Sequence, residues 1–161
     1  MIHSKWMKPG MLLVSLFVLA MGVTSLAVVK DKPLKKSDLP AAVQKAADEQ
    51  SKGATVRGYA SEVEDGKLQY EVQLTVSGHS KDVSIAPDGT VLEVEEQVDL
   101  GALPAAVQEG LQKKAGGGKI AKVESLTKSG KLVAYEAQVV TGKKRTEVQV
   151  GPDGQPLVHP E

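Results

Sequence analysis

Leu68, Tyr70, Val72, Leu74 and Val76 alternate with Gln69, Glu71, Gln73 and Thr75. That period of two belongs to an antiparallel strand with one face on a core and the other toward water. Val133, Tyr135, Ala137 and Val139 alternate in the same way with Glu136 and Gln138. Leu132 falls out of phase, so one extra residue sits near 131–134, either in a bulge or in a longer turn at Ser129–Lys131. A different period precedes each strand. Leu39, Val43 and Ala47 recur every fourth residue, as do Leu103, Val107, Leu111 and Ala115, which predicts a helix with a narrow apolar stripe. Pro40 suits a first helical turn, Ser37 and Asp38 offer oxygens to the free amides, and Gly53 and Gly116-Gly117-Gly118 stop the two helices. Asp65-Gly66, Ser77-Gly78 and Pro87-Asp88-Gly89 are turn signals that divide the rest into strands near 55–64, 67–76, 80–86 and 90–98.

The two helix-and-strand patterns are copies. The hexapeptide LPAAVQ stands at Leu39–Gln44 and again at Leu103–Gln108. Gly66-Lys67-Leu68 matches Gly130-Lys131-Leu132 at the same offset of 64, and Pro87-Asp88-Gly89 matches Pro152-Asp153-Gly154 at 65. A period of this size marks a supersecondary unit repeated in tandem. The predicted fold class is α+β, with two tandem repeats (37–98 and 101–159), each one helix packed on a four-stranded antiparallel meander sheet. A unit of roughly 60 residues buries too little apolar surface to be secure alone. The repeats are therefore expected to pack or pair edge to edge, with Val98–Gly101 as the joint.

The remainder of the chain reads differently. Lys5 and Lys8 precede an apolar run from Met11 to Val23, and small residues follow at Ser25 and Ala27. This predicts a signal peptide over 1–27, cleaved before Val28, then a basic linker over 28–36. The competing reading is an uncleaved N-terminal membrane anchor. Lys5 and Lys8 are the only charged residues before residue 28, so the remainder carries 18 basic and 20 acidic side chains, a net charge of −2. That balance excludes a nucleic-acid partner, which would demand a basic face. With no cysteine in the chain, a disulfide framework, a lipid-modified cysteine and thiolate catalysis are all excluded. The only Trp, the only Phe and every Met precede Val28. The core must be built from Val, Leu, Ile and Ala with Tyr59, Tyr70 and Tyr135.

Leu39-Pro40-Ala41-Ala42-Val43, Gly66, Tyr70-Glu71-Val72 and Asp88-Gly89 resemble, in type and order, the PepSY-like family, the branch related to the beta-lactamase-inhibitor-like fold. The second copy repeats them as Leu103-Pro104-Ala105-Ala106-Val107, Gly130, Tyr135-Glu136-Ala137 and Asp153-Gly154, departing at Ala137 and by its insertion. The resemblance implies an exported, non-enzymatic binding or inhibitory module of the bacterial cell envelope, with no catalytic residues to carry over.

Residue chemistry points the same way. His79 in a hairpin turn and His159 near the C-terminus have no second ligand at zinc spacing. The carboxylates of Asp88 and Asp153 fit turns better than calcium loops. No nucleophile-elbow pattern frames a serine, and Glu71, Glu93, Glu95 and Glu96 read as a solvated acidic surface. Lys143-Lys144-Arg145 reads as a charged hairpin tip that discourages edge pairing, or as a patch for phosphate or an acidic partner. No enzyme activity, cofactor or metal is expected. The expected contact surface is the sheet face opposite the helices, with Glu71, Gln73, Glu93 and Glu95 in the first copy and Glu136 and Gln138 in the second. The expected partner is another protein, a peptidase or other envelope protein, with no nucleic acid and no membrane after cleavage. The expected location is periplasmic or secreted. The alternative is a structural envelope protein that self-associates through its sheet edges.

Overall fold

The computed structural model describes residues 32–64 and 66–161. The segment read as a signal peptide, and the start of the linker, lie outside them. In chain order the elements are β1 (Lys32–Leu34), α1 (Ala41–Gln50), β2 (Thr55–Glu64), β3 (Lys67–Val76), β4 (His79–Ile85) and β5 (Val91–Gln97), then α2 (Ala105–Ala115), β6 (Lys119–Lys128), β7 (Lys131–Thr141) and β8 (Lys144–Val150). The eight strands form one antiparallel sheet whose spatial order is the chain order. The α+β reading holds, with a helix and then a meander, twice over. The repeats join edge to edge through β5 and β6, from Glu93↔Lys128 to Gln97↔Glu124.

Each helix lies over its own half of one sheet face. Beneath α1, Leu39, Val43 and Ala47 pack on Val72, Leu74, Val83 and Ile85. Beneath α2, Val107 and Leu111 pack on Val123, Ala137, Val139 and Val150. Tyr59 and Tyr70 pack against the first cluster and Tyr135 against the second.

The repeated hexapeptide has a physical basis at nearly every position. Val43 and Val107 are fully buried. The Gln44 and Gln108 side-chain amides donate to the carbonyls of Leu39 and Leu103, at 2.9 and 2.8 Å, tying each helix start to its lead-in. The second alanine faces the PDG turn. A Cβ on Gly89 would stand 2.8 Å from the Ala42 carbonyl oxygen, and one on Gly154 would stand 2.1 Å from that of Ala106. Both glycines also have positive φ, +89° and +79°, which L side chains rarely adopt. LPAAVQ and PDG therefore recur together because they are two sides of one contact.

Several details differ from the sequence reading. Ser37 and Asp38 do not cap α1. Asp38 instead accepts a 2.9 Å bond from the Lys35 amide and closes a short 3-10 turn, while Pro40 occupies the N-cap without a side-chain bond. Within the stretch read as linker, Lys32–Leu34 is extended and pairs with Tyr59–Ser61. It covers an edge of β2 that would otherwise present unpaired backbone groups, and Pro33 is tolerated because the strand is at the edge. The extra residue of the second copy is a bulge: Leu126 pairs with Ala134 and Thr127 with Leu132, leaving Val133 between them. After its PDG turn the first copy continues into β5, whereas the second makes a single bridge, Val150↔Pro156. That difference leaves β8 at the end of the sheet.

Candidate functional site

The pleat sends the side chains that do not meet a helix to the opposite face. On this face every strand from β2 to β8 supplies a carboxylate: Glu62, Glu71, Asp82, Glu95, Glu124, Glu136 and Glu147, as the strand registers require. All six residues read from the sequence stand here together: Glu71, Gln73, Glu93, Glu95, Glu136 and Gln138. Each is half-buried. Glu96, opposite Lys81, turns to the helix side. The expected picture of a fully solvated acidic surface is therefore corrected. Small apolar groups lie among the acids, with Ala60, Leu126 and Ala134 at 5%, 2% and 0% exposure, and the long polar side chains close over them.

The tightest cluster straddles the seam between the copies. Oxygens of Asp82 (β4), Glu95 (β5) and Glu124 (β6) lie within 4.8 Å of one another, the only grouping of metal-competent side chains among the described residues. Like charges so close cannot all ionise without help. Two cations supply part of it. Arg57 donates to Asp82 Oδ1 at 2.7 Å and to the Leu74 carbonyl at 3.0 Å. Lys122 Nζ sits 2.6 Å from Glu124 Oε1, an oxygen that is buried and receives no well-aligned hydrogen bond. Charge attraction, and not a hydrogen bond, therefore balances it. The third carboxyl, Glu95, has no cation partner among the described residues. Burial pushes Glu95 up to about 8, and its hydrogen bond to Glu93 and repulsion from Glu93, Glu124 and Glu136 push it the same way. Burial raises Asp82 too, against the pull of Arg57. With Arg57, Lys122 and a proton on Glu95, the cluster is a closed charge network rather than an open coordination sphere.

Beside the seam, Lys128 Nζ lies 3.3 Å from Glu93 and 3.7 Å from Glu161. Gln149 donates to Glu136 at 2.8 Å and accepts from the Glu161 amide at 2.8 Å, which holds the C-terminal segment on the second copy's half. Burial raises the Glu136 carboxyl despite the Gln149 bond. A groove of about 470 Å³ runs between this segment and β8, lined by Glu136, Glu147, Gln149 and Pro160 among others. Glu95 lies outside it. The face can attract and hold cationic groups, and it can store a proton at neutral pH. Elsewhere, Asp88 and Asp153 accept the amides of Thr90 and Gln155 at 2.9 and 3.0 Å, which stabilises the PDG turns.

Sequence reading missed Asp82, Glu124, Arg57 and Lys122. Asp82 was legible by parity, since it alternates with the buried Val83 and Ile85. The first strand of each copy was not, because bulges at Arg57 and Ala121 break its alternation. The bulge leaves Arg57 able to reach across β3 to β4.

No family model matches the chain, and no curated protein matches it. Solved structures do. A presumed periplasmic protein from Bacteroides eggerthii DSM 20697 is similar with a TM-score of 0.59 at 20% identity, over 73% of this chain and 84% of the other. A BLIP-like protein from Bacteroides fragilis NCTC 9343 is similar at 0.55 and 20%, over 74% and 83%. A DUF2874 family protein from Bacteroides ovatus ATCC 8483 is similar at 0.58 and 18%, over 74% and 84%. At such identities the likeness is one of fold, and the fold is the one that the PepSY-like resemblance implies.

Proposed function

We propose that this protein is an exported, non-enzymatic binding module of the bacterial cell envelope, and that it grips another protein with its helix-free sheet face. The observation that carries this reading is the face itself. Among the described residues no helix or strand crosses it, yet it gathers polar side chains from both repeats on a rigid support. Rigid presentation lowers the ordering cost of binding. A surface shared across the seam also gives a reason for the duplication beyond stability, since one repeat would offer half the area. The periplasmic assignment of a matched structure and the N-terminal apolar segment support export. The BLIP-like neighbour supports an inhibitory role, with a peptidase or another envelope protein as target. The test is capture of a partner from envelope extract by the wild-type protein and by the triple variant Glu71→Ala, Glu93→Ala, Glu95→Ala. Weaker capture by a variant with unchanged circular dichroism supports the reading. Undiminished capture assigns the contact elsewhere.

A further inference from the structure

The tip of the β7–β8 hairpin is a second charged feature that the proposed function leaves unused. Lys143, Lys144 and Arg145 are consecutive and exposed, and none of them has a carboxylate partner among the described residues. Arg145 pairs in register with Val140, so it stands on the same sheet face as the acids. The hairpin does not need these cations, because the first copy carries Gly78, His79 and Ser80 at the matching positions. The tip cannot reach the seam of its own sheet, since pairing runs without interruption to Thr141↔Lys144 and holds it at the sheet's end. With 18 basic against 20 acidic side chains from residue 28 onward, the exported chain feels little net repulsion from its copies, so segregated patches of opposite sign can direct their approach.

We propose that the Lys143-Lys144-Arg145 tip docks on the helix-free face of a second copy, against Glu71, Glu93 and Glu136 near the seam. This inference rests on the reading of that face as a polypeptide-binding surface and names one occupant for it. Sedimentation velocity on the protein recovered from producing cells tests it. The expected result is an average mass that rises with concentration at low ionic strength and falls to the monomer at high salt. The variant K143E/K144E/R145E and the face variant E71Q/E136Q should each weaken association about tenfold or more. Mixing the tip variant with E71K/E136K should restore it. A monomer at every concentration and salt overturns the inference, as does association that neither variant changes, which would place the contact at the sheet edges. A labelled Gly-Lys-Lys-Arg peptide keeps the two readings apart. If the monomeric protein binds this peptide and E71Q/E136Q does not, the second-copy contact fails while the face survives. Without such binding, both fall.

Discussion

Under α1 the sheet offers Val72, Leu74, Val83 and Ile85, and under α2 it offers Val123, Ala137, Val139 and Val150. The second floor is built of smaller side chains, and its helix lies closer to its PDG turn, with 2.1 Å against 2.8 Å for a Cβ on the turn glycine. The first copy has Ala46 where α2 has Gly110, and a Cβ on Gly110 would meet the Gly154 carbonyl oxygen at 2.2 Å. On the other face the copies diverge in charge. The first pairs Arg57 with Asp82, while the matching positions in the second are Ala121 and the exposed Glu147. The first has Ala60 where the second has Glu124, which adds the third carboxylate of the seam. Duplication preserved the contacts that hold a helix on a sheet and released the side chains pointing away from it. Such a division is expected when one face supplies stability and the other is free to specialise.

The largest predicted effects break what the copies share. Replacing Val43 or Val107 with Asp puts a carboxyl where exposure is 0%, which costs on the order of 4–5 kcal/mol. Chemical denaturation should show either variant largely unfolded. Because β5 and β6 join the halves into one sheet, a single transition should be lost, not half of one. Next come the paired PDG turns. Gly154→Ala forces a contact closer than Gly89→Ala does, 2.1 against 2.8 Å. The expected costs are about 3 kcal/mol and about 2 kcal/mol, from strain and overpacking, so the melting temperatures should fall in that order. Equal losses would mean that the second copy's tighter packing is relaxed in solution.

The seam gives a smaller effect that depends on pH. The folded chain holds Glu95 protonated up to about 8, whereas the ordinary value is 4.5. The unfolded chain releases that proton first. Stability from this group is therefore full below about 4.5 and is lost as pH rises toward 8. Glu95→Gln should flatten that slope in melting curves taken across the window. The smallest prediction sharpens the charge contrast. Arg57→Ala removes a pair whose arginine is 42% exposed and should cost less than about 1 kcal/mol. Ala121→Arg, which offers the second copy the same pair with Glu147, should gain about 0.5 kcal/mol at most.

Much of this was legible in the chain. Alternation over 67–76 gave β3 at its observed bounds, and the stripe Leu39, Val43, Ala47 named residues that are buried. The PDG turns showed where β4 ends, and parity placed Glu71, Glu93 and Glu136 on one face. Three things were hidden for physical reasons. Bulges shift the pleat by one residue, so the first strand of each copy showed no clean period. The partners across the seam are set by how β5 meets β6, which no local pattern encodes, so Glu124 could not be linked to Asp82 and Glu95. Half-burial of the polar face depends on long side chains from neighbouring strands crowding together, and single-strand patterns carry no information about that crowding.

We propose that partners are gripped by the helix-free face across both repeats. The absence of cysteine permits a direct measurement. Single cysteines carrying a photocrosslinker are placed at Gln73 and Gln138 on that face, and at the exposed Lys45 and Glu109 on the helices. The four variants are then irradiated in envelope extract from the native host. One crosslinked product should be shared by the Gln73 and Gln138 probes and be absent from the other two. A product formed only from Lys45 or Glu109 would move the contact to the helices and away from this face.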